Sequence, residues 1–205
     1  ADVKNHFPTD LASRETADLF MSVIMYRLKQ NGRAAVILPD GFLFGTDNGK
    51  VHIKKKLLRE FNLHTIIRLP GSVFSPYTSI TTNILFFDNT HPTEETWFYR
   101  LDMPEGHFSK TKPMLLDHFA PVVNWWSNRR ELTENGFDKA KKFTVYQLTE
   151  ELGYNLDQCG YPHEEEEILA PMDLIQRYEE QRASLNAQID RVLEQITNLL
   201  GGNAQ

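Results

Sequence analysis

Two large aromatic rings share one loop of the sequence, in a place where they can meet a ligand more easily than the core. Phe74 and Tyr77, with the hydroxyl of Thr78 beside them, follow a Leu-Pro-Gly turn and precede a run of β-branched residues. A flat ring in such a loop can stack on a flat ligand. The alternative is that Phe74 folds back over the end of the hydrophobic core, and the spacing alone leaves both possibilities open.

A second loop begins at Pro39 and Asp40 and follows another apolar run. In an open α/β sheet, ligands bind outside the carboxyl ends of the parallel strands. Both loops come directly after predicted strands. We therefore expect them to lie at the same edge of one sheet and to form the ligand site there.

Helices and strands alternate around these loops. Short apolar runs predict strands over residues 34–38 and 64–69. A helix over residues 14–30 is predicted by the spacing of Leu19, Phe20, Val23, Ile24 and Leu28. A second helix is predicted by Ile53, Leu57, Leu58 and Phe61, with Lys54, Lys55, Lys56 and Arg59 on its solvent side. This order predicts an α/β fold with parallel strands and crossover helices, as in doubly wound, Rossmann-like sheets.

A third strand is predicted over residues 81–87. The loop before it is shorter than the roughly twelve or more residues that a parallel crossover needs, so the strand is predicted to return antiparallel beside the previous one. A parallel sheet that finishes in an antiparallel hairpin resembles the end of the sheet in S-adenosylmethionine-dependent methyltransferases.

The pattern is less regular downstream. Residues 95–102 predict a further strand, and residues 143–152 predict a strand that runs into a helical turn. Trp125-Trp126 predicts an anchor for a helix or loop. Gly160 and the acidic residues 164–167 mark a boundary before the last element.

The last predicted element is a helix over residues 170–200 with a narrow apolar seam. Its seam residues recur at alternating steps of three and four, as in a coiled coil, and Arg182 takes the one polar position. They are Ile175, Tyr178, Leu185, Ile189, Val192, Ile196 and Leu199. A narrow seam opposite a polar face favours docking on a partner helix. The alternative is that the helix folds back on its own domain.

The composition is that of an ordinary globular protein. The 205 residues are 40% hydrophobic and 24% charged, with a net charge of −6. Because neutralised phosphates supply much of the affinity for nucleic acid, a chain this acidic is not expected to bind DNA alone. No apolar run approaches the roughly 18 residues of a membrane span. The single cysteine, Cys159, cannot form an internal disulfide, which leads us to expect a cytoplasmic protein.

Other chemistry finds little support in the sequence. His163 is followed by four glutamates but lacks a second histidine at metal-binding spacing, so we expect a solvated acidic run and no metal site. Neither a Gly-x-Ser-x-Gly elbow nor a P-loop occurs. The lysines at 54–56 could contact phosphate, but such a run is more often the solvent face of a helix.

Several stretches, taken in order, carry a resemblance to a known family. They are NGRAAVILPDGFLF, IKKKLLREFNLHTIIRLPGSVF, SITTNILFF and, near Tyr154, GYNLDQCGY. They resemble the modification (methylase) subunits of type I restriction–modification systems, which are N6-adenine DNA methyltransferases of the gamma arrangement. Residues 14–88 cover the strong part of the resemblance, and residues 89–142 match weakly.

Two motifs of that family are missing from this chain. The Gly-rich cofactor loop and the catalytic Asn-Pro-Pro-Phe/Tyr both lie upstream of the region that matches Thr16, and the sequence contains neither Gly-x-Gly nor Pro-Pro. The resemblance implies that residues 1–108 are the C-terminal part of a methyltransferase catalytic domain. Residues 109–160 would be a connecting α+β segment, and residues 161–205 a coiled-coil-like helix for subunit association. We expect no catalytic, cofactor-binding or metal-binding residue here, and no binding of S-adenosylmethionine by this chain alone.

The resemblance also implies roles for the two loops. In related methylases the aromatic residue after the Leu-Pro-Gly turn stacks on the extruded target adenine, and Phe74 occupies that place. Tyr77 and Thr78 would line the adenine pocket, while Pro39 and Asp40 would shape its floor. In the full-length subunit, the amide of the missing Asn and a backbone carbonyl would hold the adenine amino group for attack on the methyl group of S-adenosylmethionine, so that positioning does most of the work.

The implied partners are a DNA-specificity subunit, a second methylase subunit and a restriction subunit, with DNA contacted through the complex. The C-terminal helix would dock on the helical spacers of the specificity subunit. The alternative function is a non-catalytic assembly module that acts through this helix. Without upstream strands, residues 34–38 would present an open hydrophobic edge, and we expect the chain to self-associate. A clean monomer at high concentration in analytical ultracentrifugation would contradict that expectation.

Overall fold

The computed structural model describes residues 15–102, 107–160 and 171–201, which belong to two compact units within residues 1–162 and 163–205. The strands of the first unit are β1 (Arg33–Pro39), β2 (Asn62–Arg68), β3 (Thr82–Asp88), β4 (Glu95–Arg100), β5 (Leu132–Glu134) and β6 (Phe137–Thr144). Its helices are α1 (Thr16–Arg27), α2 (Asp40–Phe44), α3 (Asn48–Glu60) and α4 (Ala120–Trp126), with single turns at Leu116–Phe119 and Gln147–Glu151. The second unit contains α5 (Pro171–Gly201).

The six strands form one mixed sheet in the order β1-β3-β2-β4-β6-β5. Strand β3 lies between β1 and β2 and is antiparallel to both, so β1 and β2 run in the same direction without being neighbours. Strand β4 then pairs in parallel with β2, and β6 pairs antiparallel with β4.

The antiparallel pair β2–β3 does not finish the sheet, and this part of the prediction is wrong. Strand β2 is buried on both faces over most of its length, so an open edge there would leave buried backbone groups unpaired. Strand β4, rich in aromatic residues, supplies those partners. Among the residues that the structure describes, β1 pairs on one side only, and its Ile37 is half exposed.

Each face of the sheet carries a hydrophobic core. On one face, α1 and α3 pack Met21 and Leu57 against strand residues such as Leu85 and Phe98. On the other face, α4 places Trp125 against a cluster that includes Ile67. Trp125 is therefore the predicted anchor. The strand predicted to begin at residue 143 is β6, which begins six residues earlier and joins the main sheet.

The apolar residues predicted to be buried in α3 are buried, but the buried side of α1 and the position of Lys54 differ from the prediction. Helix α1 buries Met21 and Met25, while Phe20 and Val23 are exposed. In α3, Lys54 is fully buried instead of facing solvent. Its ammonium group donates hydrogen bonds to the carbonyl oxygens of Leu43 at 2.5 Å, Gly45 at 2.8 Å and Tyr154 at 3.0 Å.

Helix α5 spans nearly the whole predicted range. Its seam side chains from Ile175 to Ile196 are between 45% and 62% exposed, and the side chain of Leu199 lies outside the described part. The predicted boundary near Gly160 and the acidic run at His163 and residues 164–167 fall partly or wholly on residues 161–170, which the structure does not describe.

Candidate functional site

The two predicted ligand loops meet at the carboxyl edge of the sheet. Pro39 pairs with Thr82 in the ladder between β1 and β3, and the Asp40 amide donates to the Thr81 carbonyl oxygen at 3.0 Å. On the other side of β3, the Leu69 amide donates to the Thr82 carbonyl oxygen at 2.9 Å. Asp40 is thus joined directly to the end of the loop that carries Phe74.

Phe74 lies in a compact loop and remains partly accessible. Its carbonyl oxygen accepts hydrogen bonds from the amides of Tyr77 at 2.9 Å and Thr78 at 3.2 Å. The Phe74 side chain is 37% exposed, whereas the neighbouring Val73 packs against the core. Val73, rather than Phe74, therefore contributes most clearly to covering the core at this end of the sheet.

The two weaker candidates in the loop differ in their surroundings. Tyr77 is 85% exposed, so its ring has little protein around it in this chain. Thr78 is half buried, and its hydroxyl oxygen accepts a hydrogen bond from the Ile80 amide at 3.1 Å. The Thr78 hydroxyl thus shapes the exit of the loop.

Asp40 belongs to a partly buried charge network centred on the buried Arg68. Its Oδ2 lies 2.6 Å from Arg68 Nη2, and its Oδ1 accepts a hydrogen bond of 2.5 Å from Asn83 Nδ2. Arg68 Nη1 forms a second ion pair with Asp157 Oδ1. Burial lowers the pKa of Arg68, but its hydrogen bonds to Asp40 and Asp157 outweigh this effect and raise it. The two oxygens of Asp40 are thus held in place by Arg68 and Asn83.

The segment 154–160 lies against the same region of the sheet. The Leu156 amide donates to the Leu43 carbonyl oxygen at 3.0 Å, and Arg100 Nη1 donates to the Gly160 carbonyl oxygen at 3.0 Å. Cys159 is buried within it, and burial raises the pKa of its thiol to about 12, so the thiol is inert at neutral pH. Three cations, Lys54, Arg68 and Arg100, thus fasten this segment.

These cations were not identified as site residues from the sequence. Arg68 and Arg100 occupy paired positions at the ends of β2 and β4, each directly after apolar residues of a buried strand. Arginine is almost never fully buried unless it is paired, so an arginine at the end of a buried strand is itself a signal of a nearby carboxylate.

Two further observations bear on the function of the described region. No group of three or more His, Cys, Asp or Glu is arranged to hold a metal ion among the described side chains. In the same part of the chain, no helix combines the length and apolar character needed to cross a bilayer.

Comparison with known proteins assigns this chain to a family. The N-6 DNA Methylase family model matches residues 2–168, and the chain belongs to that family. The methylase subunit of the type I restriction enzyme EcoEI from Escherichia coli is 40% identical over 206 residues, which cover 98% of this chain. The resemblance predicted from the sequence motifs is thereby confirmed.

Solved structures agree with this assignment. The crystal structure of a modification subunit from Vibrio vulnificus YJ016 is 44% identical, with a TM-score of 0.64 over 71% of this chain and 31% of that one. A structure from work on assembly and conformational transition of the type I R-M system is 27% identical, with a TM-score of 0.69 over 100% of this chain and 43% of that one. This chain spans 41% of the length of the EcoEI subunit.

Proposed function

We propose that this chain is part of the DNA-modification subunit of a type I restriction–modification system, which transfers a methyl group from S-adenosylmethionine to N6 of adenine in a specific DNA site. The observation that carries the proposal is the partly accessible ring of Phe74 at the carboxyl edge, joined through its loop to Asp40. Family membership and the methylase relatives support the same reaction.

The roles at this site follow from what each group can offer. A methylase must extrude its target base, at a cost of a few kcal/mol, and stacking on an aromatic ring returns about 1–3 kcal/mol. We assign that stacking to Phe74 and the lining of the adenine pocket to Tyr77 and Thr78. We assign Pro39 and Asp40 to the floor of the pocket. Asp40 suits this role because its ion pair with Arg68 fixes the carboxylate.

The residues at this edge fit a flat base better than they fit the cofactor. S-adenosylmethionine supplies an electrophilic methyl group when it is bound to the full-length subunit. The Gly-rich cofactor loop and the Asn-Pro-Pro-Phe/Tyr motif are absent from this sequence, and Asp40 is already bonded to Arg68 and Asn83. We therefore assign cofactor binding and the catalytic Asn to the part of the subunit outside this chain.

The apolar seam of α5 is proposed to dock on the DNA-specificity subunit, within a complex that also contains a second methylase subunit and a restriction subunit. The six seam side chains that the structure describes are exposed. Burying each would contribute about 1.5–3 kcal/mol before the costs of association. Base-sequence recognition by the specificity subunit also accounts for the acidic charge of this chain.

The proposal is tested by expressing the full-length reading frame with its specificity subunit and measuring N6-methyladenine in DNA by mass spectrometry. We expect methylation at one defined sequence that depends on S-adenosylmethionine. Absence of N6-methyladenine from DNA incubated with a correctly assembled complex would contradict the proposal and favour a non-catalytic assembly module.

A further inference from the structure

We propose that Arg68 is a positioning residue for the target-base pocket, because it holds Asp40 against the segment 154–160 through an ionic chain from Asp157 to Arg68 to Asp40. The inference rests on the proposed function, which gives Asp40 its place in the pocket. Arg68 touches neither the base nor the methyl group in this account. It acts on the reaction by fixing the floor.

The geometry requires a guanidinium at this position. Arg68 is 7% exposed, and its two terminal nitrogens each bind a different carboxylate, Asp40 and Asp157. The planar fork of arginine can satisfy two carboxylates at fixed directions, whereas the ammonium of lysine is a single point charge. The two carboxylates lie 117 positions apart in the chain, so Arg68 links two distant segments.

Asp40 passes this constraint to the pocket. Its second carboxylate oxygen is held by Asn83, and its amide is bonded to Thr81, the last residue of the loop that carries Phe74. Asp40 also begins α2, whose Leu43 carbonyl oxygen accepts the Leu156 amide. The floor of the pocket and segment 154–160 are therefore joined ionically through Arg68 and through the backbone, and the Lys54 ammonium also bridges Leu43 to Tyr154.

The network satisfies its ionic contacts but not all of its hydrogen bonds. Arg68 Nε and Asn83 Oδ1 are buried without a hydrogen-bond partner among the described residues, although Arg68 and Asn83 are direct neighbours in the ladder between β2 and β3. Buried polar atoms without partners are few in folded proteins, and each calls for an explanation. The guanidinium is oriented so that its two terminal nitrogens bind Asp40 and Asp157, and Asn83 Nδ2 is likewise directed to Asp40. These orientations account for the two atoms that are left without a partner.

The test uses the full-length subunit assembled with its specificity subunit and compares Arg68→Met with Arg100→Met. Arg100 is the matched control because it occupies the position on β4 that lies opposite Arg68 on β2. It also contacts segment 154–160, through a hydrogen bond to the Gly160 carbonyl oxygen, but its ion pair is with Asp102 and not with Asp40. A displaced floor should lower kcat for methylation by about 100-fold in Arg68→Met, since a misplacement of about 1 Å can cost that much. The fluorescence rise of 2-aminopurine at the target base should fall with kcat.

Several readouts separate positioning from simple loss of stability. We expect binding of S-adenosylmethionine to be unchanged in Arg68→Met, and its loss of kcat to exceed that of Arg100→Met at least tenfold at equal fractions folded. Arg68→Lys should recover the melting temperature but not kcat. Asp157→Asn should lower kcat in the wild-type background and have no further effect in Arg68→Met, because both act through one chain.

Equal kcat losses in the two methionine variants at equal fractions folded, or full activity of Arg68→Lys, would overturn the inference. These results would leave the proposed function intact, because they require a wild-type complex that methylates adenine. A wild-type complex that forms no N6-methyladenine would instead overturn the proposed function.

Discussion

Replacing Leu185 with aspartate is expected to weaken binding of the full-length methylase subunit to its specificity subunit by about 30- to 1,000-fold, the range that a central apolar contact of about 2–4 kcal/mol represents. Leu185 lies near the middle of the seam of α5 and is 59% exposed in this chain. Docking would bury it, and a carboxylate at a buried position cannot keep its hydration. Isothermal titration calorimetry with the purified specificity subunit measures the loss directly.

The matched control is Ala187→Asp, which adds the same charge to the same helix away from the seam. Ala187 is exposed in α5 and lies outside the alternating spacing of three and four. We expect it to change binding by less than about threefold, since surface substitutions away from a contact usually stay within about 0.5 kcal/mol. Circular dichroism should show equal helix content in both variants. Equal affinities of Leu185→Asp and the wild type for the specificity subunit would contradict the assignment of the seam to the interface.

Replacing Lys54 with methionine is expected to destabilise the fold by about 2 kcal/mol at pH 7, because three buried carbonyl groups lose their donor at about 1–3 kcal/mol each while the cost of burying a charge is relieved. The ammonium of Lys54 connects Leu43 and Gly45 to Tyr154, across 100 positions of the chain. Methionine keeps the length of the side chain, so that the change tests the hydrogen bonds more than the volume. Chemical denaturation measures the free energy of unfolding.

The same residue gives stability a defined dependence on pH. Burial lowers the pKa of Lys54 from 10.5 to about 8 in the folded chain. The unfolded chain therefore binds more protons between about pH 8 and pH 10.5, and the free energy of unfolding rises with pH across that window by up to about 3 kcal/mol. The difference in free energy of unfolding between the wild type and Lys54→Met should therefore increase across this pH window.

Lys55→Met is the control for both measurements, since Lys55 is the next residue of α3 and is only half buried. It should shift the free energy of unfolding by less than about 0.5 kcal/mol and keep the rise between about pH 8 and pH 10.5, because Lys54 is still present. A stability difference between wild type and Lys54→Met that stays constant from pH 7 to pH 10.5 would show that folding does not lower the pKa of Lys54.

Local patterns predicted most of the elements but not their full arrangement. Short apolar runs with turn residues at their ends located β1, β2 and β3, and the short loop before β3 led to its antiparallel pairing with β2. The place of β3 between β1 and β2 depends on pairings across the whole sheet, which periodicity does not encode. The continuation of the sheet through β4 and β6 was hidden for the same reason.

The charged residues of the site show where sequence reasoning stops. Lys50 and Lys54 share a helix face with Ile53 and Leu57, but a helical wheel treats lysine as solvent-facing. Lys50 is buried because carboxylates of Glu15, Asp18 and Asp47 surround it. Arg68 likewise depends on Asp157, 89 positions away. Partners this distant become visible only when the chain is folded.

The most direct test of the central role given to Phe74 is the extrusion of the target base. In the full-length subunit with its specificity partner, Phe74→Ala should lower methylation efficiency by roughly 5- to 150-fold, the equivalent of a lost stack of about 1–3 kcal/mol. Phe74→Trp retains a ring and should retain activity. Tyr146→Ala is the control, because Tyr146 is an exposed aromatic residue at the opposite edge of the sheet. The residue before it, Val145, donates to the carbonyl oxygen of Glu94, just before the start of β4.

The deciding measurement is the fluorescence of 2-aminopurine placed at the target adenine when each of these complexes binds the DNA. 2-Aminopurine fluoresces more strongly when it leaves the base stack, and stacking on the Phe74 ring determines what fraction of the target base stays outside the duplex. We predict a clear change in this signal for Phe74→Ala relative to both the wild type and Tyr146→Ala, together with slower methylation. An unchanged signal with undiminished methylation in Phe74→Ala would contradict the assignment of this loop to the target base.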